Sequence, residues 1–381
     1  MQLIKAYQGL KIDRRDKALI VHLSKPHAVL SSCPVFGGLR QDLAAIVNHQ
    51  CCEPHSHFPA ALEKATEDPS AYLQAFCRQY RLPANCVLLS TAVNINNAAP
   101  ERMSFGGLEV ISLCTAGVES NAARAGDPAS VYETRGCFRP VGDIVAKKLG
   151  TINLIICINR SLTPAAMVTA AMTAVEAKAA VMAELNVNSR YSAGIATGTG
   201  TDQIALAART DARQPLSGAG KHTKLGELIA RTVAASLKKS LVLQNRLSPQ
   251  GQCSVKVLLE RFSPDKGFLK AEIAKHLPPP ASALLVKNFD VFSHDPVTVA
   301  AVSALIHLHE QFRCKILPAP CRADVFSLGG AQLVAAVCGK PQRIANYRET
   351  LPAAELDGSN RAFLMFLCRC LAMGFREKWI P

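Results

Sequence analysis

The densest run of small polar groups in the chain is Ala196-Thr197-Gly198-Thr199-Gly200-Thr201-Asp202. Its threonine hydroxyls, its backbone N–H groups and one carboxylate can face a common space. Glycine permits unusual dihedrals and close approach of a ligand. Concavities lined by such N–H groups favour polar or anionic groups. The run lies between two predicted strands, Tyr191-Ser192-Ala193-Gly194-Ile195 and Gln203-Ile204-Ala205-Leu206-Ala207-Ala208. A plain hairpin with a hydrophilic turn has the same composition, so the surrounding segments decide between the two.

Those segments carry chemistry of their own. The predicted strand over 108–117 leads through Thr115-Ala116-Gly117 to Asn121 and Asp127. A strand, a small-residue turn and then polar side chains suits a site at a strand end, although the same residues also cap turns. A strand over 86–93 ends at Ser90-Thr91, and Ser31-Ser32 follow a strand and precede Gly37-Gly38. Gly150-Thr151-Ile152-Asn153-Leu154-Ile155-Ile156-Cys157-Ile158-Asn159 is the clearest strand. It is nearly all apolar and β-branched, as in a strand buried on both faces, so Asn153 must find hydrogen bonds.

A helix is predicted from Thr163-Pro164, with threonine as N-cap and proline at the first position. Val168, Met172, Val175, Ala179 and Met182 recur at steps of four and three and mark one buried stripe. Glu176 and Lys178 flank that stripe. Two positions apart, they do not pair across a helix turn, so each meets something from another element. A second helix is predicted from Thr223 to about Leu243, after Gly218-Ala219-Gly220-Lys221-His222. That stretch superficially resembles a phosphate loop but lacks its first glycine and the Ser or Thr directly after lysine, which rejects a nucleoside-triphosphate site. Asn48 to His57 collects metal-ligand residue types at a spacing that matches no standard set.

A net charge of +14 raises the question of nucleic acid. The basic residues are scattered and aromatics are few, so none is expected as partner. Fourteen cysteines occur without a Cys-x-x-Cys pair or a secretory signal, which reads as reduced, mostly buried thiols in a cytoplasmic protein. No run of eighteen uncharged apolar residues is present, so no membrane span is expected.

The expected architecture is α/β: a mixed sheet flanked by helices over residues 1–245, then a smaller C-terminal α/β module over 246–381, joined near Leu247-Ser248-Pro249-Gln250-Gly251. In the module Ala283-Leu284-Leu285-Val286 reads as a strand. Pro296 to Phe312 (capped by Asp295), Ala331 to Cys338 and Arg361 to Phe375 read as helices. His307, His309 and Glu310 do not make the zinc pattern. The module carries no recognisable activity; substrate capture or homo-oligomer formation is left open.

Seven stretches in order along the chain carry a resemblance: Ser31-Ser32 with Gly37-Gly38; Ser90-Thr91-Ala92; Thr115-Ala116-Gly117-Val118 with Asn121 and Gly126-Asp127; Gly150-Thr151-Ile152-Asn153; Glu176-Ala177-Lys178; Thr197 to Asp202; and Lys221-His222-Thr223 with Leu225-Gly226-Glu227. Over roughly residues 15–240 the chain resembles the adenosylcobinamide amidohydrolase family, with lysine at 221 where that family typically has glycine. The resemblance implies a cytoplasmic corrinoid-salvage enzyme. Such an enzyme hydrolyses the amide joining aminopropanol to a corrin propionate of adenosylcobinamide, yielding adenosylcobyric acid and 1-amino-2-propanol. The corrinoid is then substrate, and no cofactor is implied. A corrinoid-binding protein without turnover is the alternative.

Amide hydrolysis needs a base or nucleophile, donors for the oxyanion and an acid for the leaving amine. Asp202 or Glu176 offers the base. Thr199, Thr201 or loop N–H groups offer the oxyanion site, and His222 or Lys178 offers the acid. Thr197, Thr199, Gly200, Thr201, Asn121, Asp127, Asn153, Ser32 and Thr91 are expected to bind substrate. No Gly-x-Ser-x-Gly elbow occurs. A threonine freed by chain cleavage, or a metal on Asp202, Glu176 and His222, would be other routes. The expected one, without metal, is attack by a water that Asp202 deprotonates. It requires residues 176 and 202 to share one cleft.

Overall fold

The computed structural model describes residues 4–51, 67–135, 137–142, 150–351 and 356–379. The chain divides into two compact units, Met1–Ser248 and Pro249–Pro381. In the first, the elements follow in the order β1 (Leu10–Arg15), β2 (Ala18–Leu23), β3 (His27–Ser31), β4 (Gly38–Arg40), β5 (Ala45–Gln50), α1 (Pro69–Tyr80), β6 (Cys86–Thr91), β7 (Ala99–Phe105) and β8 (Leu108–Ala116). Then come β9 (Ala122–Ala123), β10 (Val131–Thr134), β11 (Cys137–Pro140), β12 (Ile152–Ser161), α2 (Pro164–Glu184), β13 (Gly198–Thr199), β14 (Gln203–Arg209) and α3 (Lys224–Asn245).

Two larger sheets result, in the orders β1-β2-β5-β6 and β4-β3-β14-β12-β8-β7; β13 pairs with β9, and β10 with β11. The alternation of side chains along β12 shows how the layers stack. Ile155 and Cys157 face the four-stranded sheet and pack with Val21, Ile46 and Leu89. Leu154, Ile156 and Ile158 face the other way, onto Met167, Ala170 and Ala174 of α2 and Ile229 and Val233 of α3. The outer face of the four-stranded sheet buries Ile20 and Val47 under Leu73, Phe76 and Tyr80 of α1. The order is therefore helix, sheet, sheet, helices, and β12 is buried on both faces.

Asn153 sits inside this apolar strand, and its amide donates to Asn48 Oδ1 at 2.9 Å and to the Ser90 carbonyl at 3.0 Å. The Asn48 amide in turn donates to Thr115 Oγ1 at 2.8 Å. A buried polar chain thus spans the two sheets and meets the donors of the Asn153 amide, while among the described residues its Oδ1 has no hydrogen-bond partner.

β12 and β14 are parallel neighbours, so α2 is a crossover helix between them. β8 runs antiparallel to β12, with Ala116 opposite Ile152. The start of β12, the start of β14 and the end of β8 therefore share one end of the sheet, and the loops at 117–121, 150–151 and 186–202 gather there. α2 starts as expected: Thr163 Oγ1 accepts the Ala166 N–H at 3.2 Å, and Pro164 opens the first turn.

Its buried face is not the expected one. Val168, Met172 and Val175 are 53%, 58% and 45% exposed, while Ala166, Met167, Ala170, Thr173, Ala174, Ala177, Lys178, Val181 and Met182 are buried. Small side chains allow α2 to lie close against the sheet and α3, and the larger apolar ones are left outside. α2 and residues 319–338 have the length and hydropathy of a membrane span, contrary to the reading from uncharged runs. A crossover between hydrogen-bonded neighbours of one sheet cannot also cross a bilayer, so for α2 the hydropathy reflects packing. Residues 191–195 are not a strand. Ser189 N–H donates to the Gly194 carbonyl at 3.0 Å and closes the segment into a turn.

In the second unit the described residues form helices and no strand: α4 (Pro249–Gln252), α5 (Val255–Leu259), α6 (Phe268–Lys275), α7 (Pro279–Ser293), α8 (Pro296–Arg313), α9 (Arg322–Cys338), α10 (Ile344–Thr350) and α11 (Asn360–Trp379). The module is helical rather than α/β. The expected strand over 283–286 lies within α7, whose buried Ala281, Leu285, Phe289 and Phe292 follow helical spacing. A four-residue apolar run does not separate strand from buried helix; Pro279 at the first helical turn does. Asp295 caps α8 by accepting the Thr298 N–H at 2.9 Å. His309 is buried and stacks on Phe363 with ring centroids 4.1 Å apart. The cysteines among the described residues are free thiols; Cys137 and Cys314 are exposed, and burial pushes the Cys157 thiol up to about 12.

The two faces of α2 differ in energetic weight. Met182→Ala, in the core, is expected to cost about 2–5 kcal/mol, and Met172→Ala, on the open face, no more than about 0.5 kcal/mol, both read from equilibrium urea unfolding.

Candidate active site

The carboxylate of Asp202, just before β14, gathers four donors. Oδ1 accepts the Ile152 N–H at 3.1 Å, the Thr199 N–H at 3.1 Å and the Thr199 hydroxyl at 2.5 Å, and Oδ2 accepts the Lys178 ammonium. Three of the four donors thus converge on Oδ1, which exhausts that oxygen's lone pairs, and the fourth holds Oδ2. The Lys178 and Asp202 side chains are only 10% and 17% exposed. So dry a pair holds only when its remaining hydrogen-bonding capacity is satisfied. Residue 178 reaches Asp202 because it lies on the buried face of α2. Gly198 is required by the same approach: a Cβ there would overlap both Asp202 Oδ2 and Lys178 Nζ.

Asn121 organises the adjoining turn. Its amide donates to the Gly150 carbonyl at 2.7 Å, and its oxygen accepts the Tyr191 hydroxyl at 2.6 Å. Thr201 Oγ1 donates to the same Gly150 carbonyl at 3.0 Å, and Thr151 Oγ1 donates to the Thr201 carbonyl at 2.7 Å. Gly150 has φ +145, and a Cβ there would meet the Gly117 carbonyl, so only glycine fits.

Asp127 forms a third node. It accepts the Arg124 N–H at 2.7 Å and the Ser189 hydroxyl at 2.6 Å, while Thr197 Oγ1 accepts the Ala125 N–H at 2.9 Å. Burial opposes ionisation of Asp127, but the bonds from Ser189, Ser192 and Arg124 together outweigh it and hold its carboxyl below the usual 3.8. Burial and the nearby Asp127 charge push the Tyr191 hydroxyl up.

These nodes border one cavity of about 760 Å³. Asp202, Glu176, Lys178, Thr197, Thr199, Gly200, Thr201, Asn121 and Asp127 all line it, so residues 176 and 202 do share a cleft. Arg124, Tyr191 and the apolar Val131, Val175 and Ala179 line it too. Sequence reasoning passed over these. Only Val175 and Ala179 carried a signal, as members of a stripe assigned to the core.

Four expected residues stand elsewhere. Asn153 is inside the inter-sheet chain. Thr91 is buried, and its hydroxyl accepts the Val93 N–H at 3.0 Å. Ser32 Oγ accepts the Ile204 N–H at 3.0 Å and ties the end of β3 to β14. His222 is exposed before α3 and does not line the cavity. Its neighbour Lys221 does reach the rim, pairing with Glu176 at 2.7 Å. Among the described residues no group of three or more His, Cys, Asp or Glu is placed to hold a metal, so Asp202, Glu176 and His222 do not form a ligand set. Of the ligand-rich stretch over 48–57, Cys52 to His57 lie outside the described residues. His49 meets the Tyr72 hydroxyl at 2.5 Å, and burial first, then Lys17, pushes its pKa down to about 4.

Chemically, a carboxylate that holds a hydroxyl on one oxygen can take its proton, and the ammonium on the other oxygen can stabilise a developing oxyanion. An ammonium has three donors; Asp202 takes one, and the group borders the cavity.

The model of the adenosylcobinamide amidohydrolase family matches residues 3–249. The uncharacterized protein MJ1613 of Methanocaldococcus jannaschii is 37% identical over 165 residues, covering 42% of this chain and 64% of the relative. The chain thus spans less than two thirds of that relative's length. The PH0078 protein from Pyrococcus horikoshii OT3 aligns over 64% of this chain and 82% of its own, with 13% identity and a TM-score of 0.30. By the family match, this chain belongs to the adenosylcobinamide amidohydrolase family.

The lowered carboxyl of Asp127 gives stability that is complete above the unfolded value near 3.8 and is lost as pH falls through the lower folded value. Asp127→Asn removes that contribution. Its melting temperature is expected to lie below wild type at pH 7, with the gap closing as the pH drops below 3.8 in thermal scans.

Proposed function

We propose that this member of the adenosylcobinamide amidohydrolase family hydrolyses the amide between aminopropanol and a corrin propionate of adenosylcobinamide. The products are adenosylcobyric acid and 1-amino-2-propanol, and the reaction serves cytoplasmic salvage of cobinamide for cobalamin synthesis. One observation carries the reading beyond the family match: the Thr199 hydroxyl and the Lys178 ammonium are held on opposite oxygens of one dry carboxylate, at the wall of a cavity of about 760 Å³.

Each part has a role in amide cleavage. Asp202 takes the proton released as the carbonyl is attacked and returns it to the leaving amine. Lys178, fixed by Asp202, faces the charge that grows on the carbonyl oxygen. The apolar Val131, Val175 and Ala179 suit the hydrocarbon of a corrin edge. Asn121, Asp127 and Arg124 supply polar partners for the amides around that edge. Glu176, exposed and paired to Lys221, sits on the rim, where it shapes access rather than chemistry.

The test is incubation of the full chain with adenosylcobinamide and detection of adenosylcobyric acid by mass spectrometry. Asp202→Asn and Lys178→Met are each expected to lower kcat by about 10²–10³-fold while the corrinoid still binds, as read from its visible spectrum. Bound corrinoid without acid product from the wild type would leave only the binding-protein reading. Val175→Asn is expected to raise KM about fivefold with kcat unchanged, because it removes apolar contact made equally in ground and transition states.

A further inference from the structure

We infer that Thr199 is the nucleophile of this reaction, and that the chain is acylated on its hydroxyl during turnover; the inference rests on the amidohydrolase reading. Oδ1 of Asp202, the oxygen that Thr199 faces, already accepts three donors and has no lone pair left for a water, and Oδ2 accepts Lys178. The carboxylate's four donors are two backbone N–H groups, one ammonium and one hydroxyl. Of these, the hydroxyl of Thr199, 2.5 Å from Oδ1, is the group that becomes an attacking oxygen when it yields its proton. A water acting on Oδ1 would first have to displace one of its three donors.

The neighbouring hydroxyls are differently engaged. Thr201 Oγ1 donates to the Gly150 carbonyl at 3.0 Å, and Thr197 Oγ1 accepts the Ala125 N–H at 2.9 Å. Thr199 also has the setting that attack needs. It is pinned in β13 opposite Ala122, it lines the cavity, and the glycines at 198 and 200 place no side chain beside it. The Thr201 N–H lies 3.4 Å from its oxygen, a weak contact that leaves a lone pair for the substrate carbon. No cleavage of the chain is required.

The atoms balance. The Thr199 O–H bond breaks as its oxygen bonds to the amide carbon; the proton goes to Asp202, and the carbonyl electron pair moves onto oxygen beside Lys178. Collapse breaks the C–N bond, and the amine leaves with the proton from Asp202. The corrin propionate is now an ester of Thr199, and the Oδ1 position that held the hydroxyl is open. A water enters there, gives its proton to Asp202 and adds to the ester carbon. Thr199 departs and recovers the proton. One water is consumed and one amide is cleaved.

The experiment uses the full chain with adenosylcobinamide and increasing hydroxylamine. An ester intermediate partitions, so corrinoid hydroxamate is expected to rise at the expense of adenosylcobyric acid, with none formed when protein is omitted. Acid-quenched protein is expected to carry the corrinoid acyl mass on the peptide containing Thr199. Thr199→Val should lose at least about a thousandfold in kcat, and Thr199→Ser should keep measurable turnover. Acid product without hydroxamate or adduct, or a folded Thr199→Val variant with near wild-type turnover, overturns this inference and leaves the amidohydrolase reading standing. No acid from the wild type overturns both. Should Thr199→Val fail to fold, the hydroxylamine partition on wild type still decides.

Discussion

A lysine and an aspartate almost withdrawn from water depend on good geometry and on further hydrogen bonds to offset their lost hydration. Asp202 draws those bonds from three places: the first N–H of β12, the turn before β14 and the buried face of α2. The pair therefore does more than neutralise charge. It fastens the crossover helix to the end of the sheet it crosses, and it forces glycine at 198. A site whose geometry is over-determined in this way keeps its reacting groups in place before substrate arrives.

The cavity lies at the amino ends of the parallel pair β12 and β14 and at the carboxyl end of β8. Open parallel sheets usually bind ligands beyond their carboxyl ends. Here the antiparallel β8 brings a carboxyl end to the opposite edge, and the long return from α2 to β14 supplies the turn. Mixed pairing thus gives this end of the sheet both a strand exit, leading to Asn121 and Asp127, and two strand entries, at Ile152 and Gln203. The cavity's lining residues named above all belong to the first unit.

Much of this was legible in local chemistry. Thr163-Pro164 and Thr223 mark helix starts, the apolar run over 152–158 marks a doubly buried strand, and the threonine–glycine turn stands out by composition. What periodicity could not show was which face of α2 packs, because alanines carry little hydropathy yet permit the closest approach, and Val168, Met172 and Val175 drew the stripe to the wrong side. Nor could spacing show that Lys178 meets Asp202; that pairing exists only once the crossover is closed. Asn153, Thr91 and Ser32 were good candidates by type, but buried strands and strand ends consume polar groups for their own satisfaction. Arg124 and Tyr191 had no local signal at all. In the second unit, a four-residue apolar run was too short to tell strand from helix.

The crossover also orders events in time. Ile152, Lys178 and Asp202 lie far apart along the chain and meet only when β14 has docked beside β12. Contacts between segments so distant in sequence form late, because loop closure must precede them. A chain made only through the end of α2 holds Lys178 without Asp202, the counter-charge it has in the finished fold. The carboxylate's cluster of donors therefore cannot close before the turn and strand that follow α2 have been synthesised.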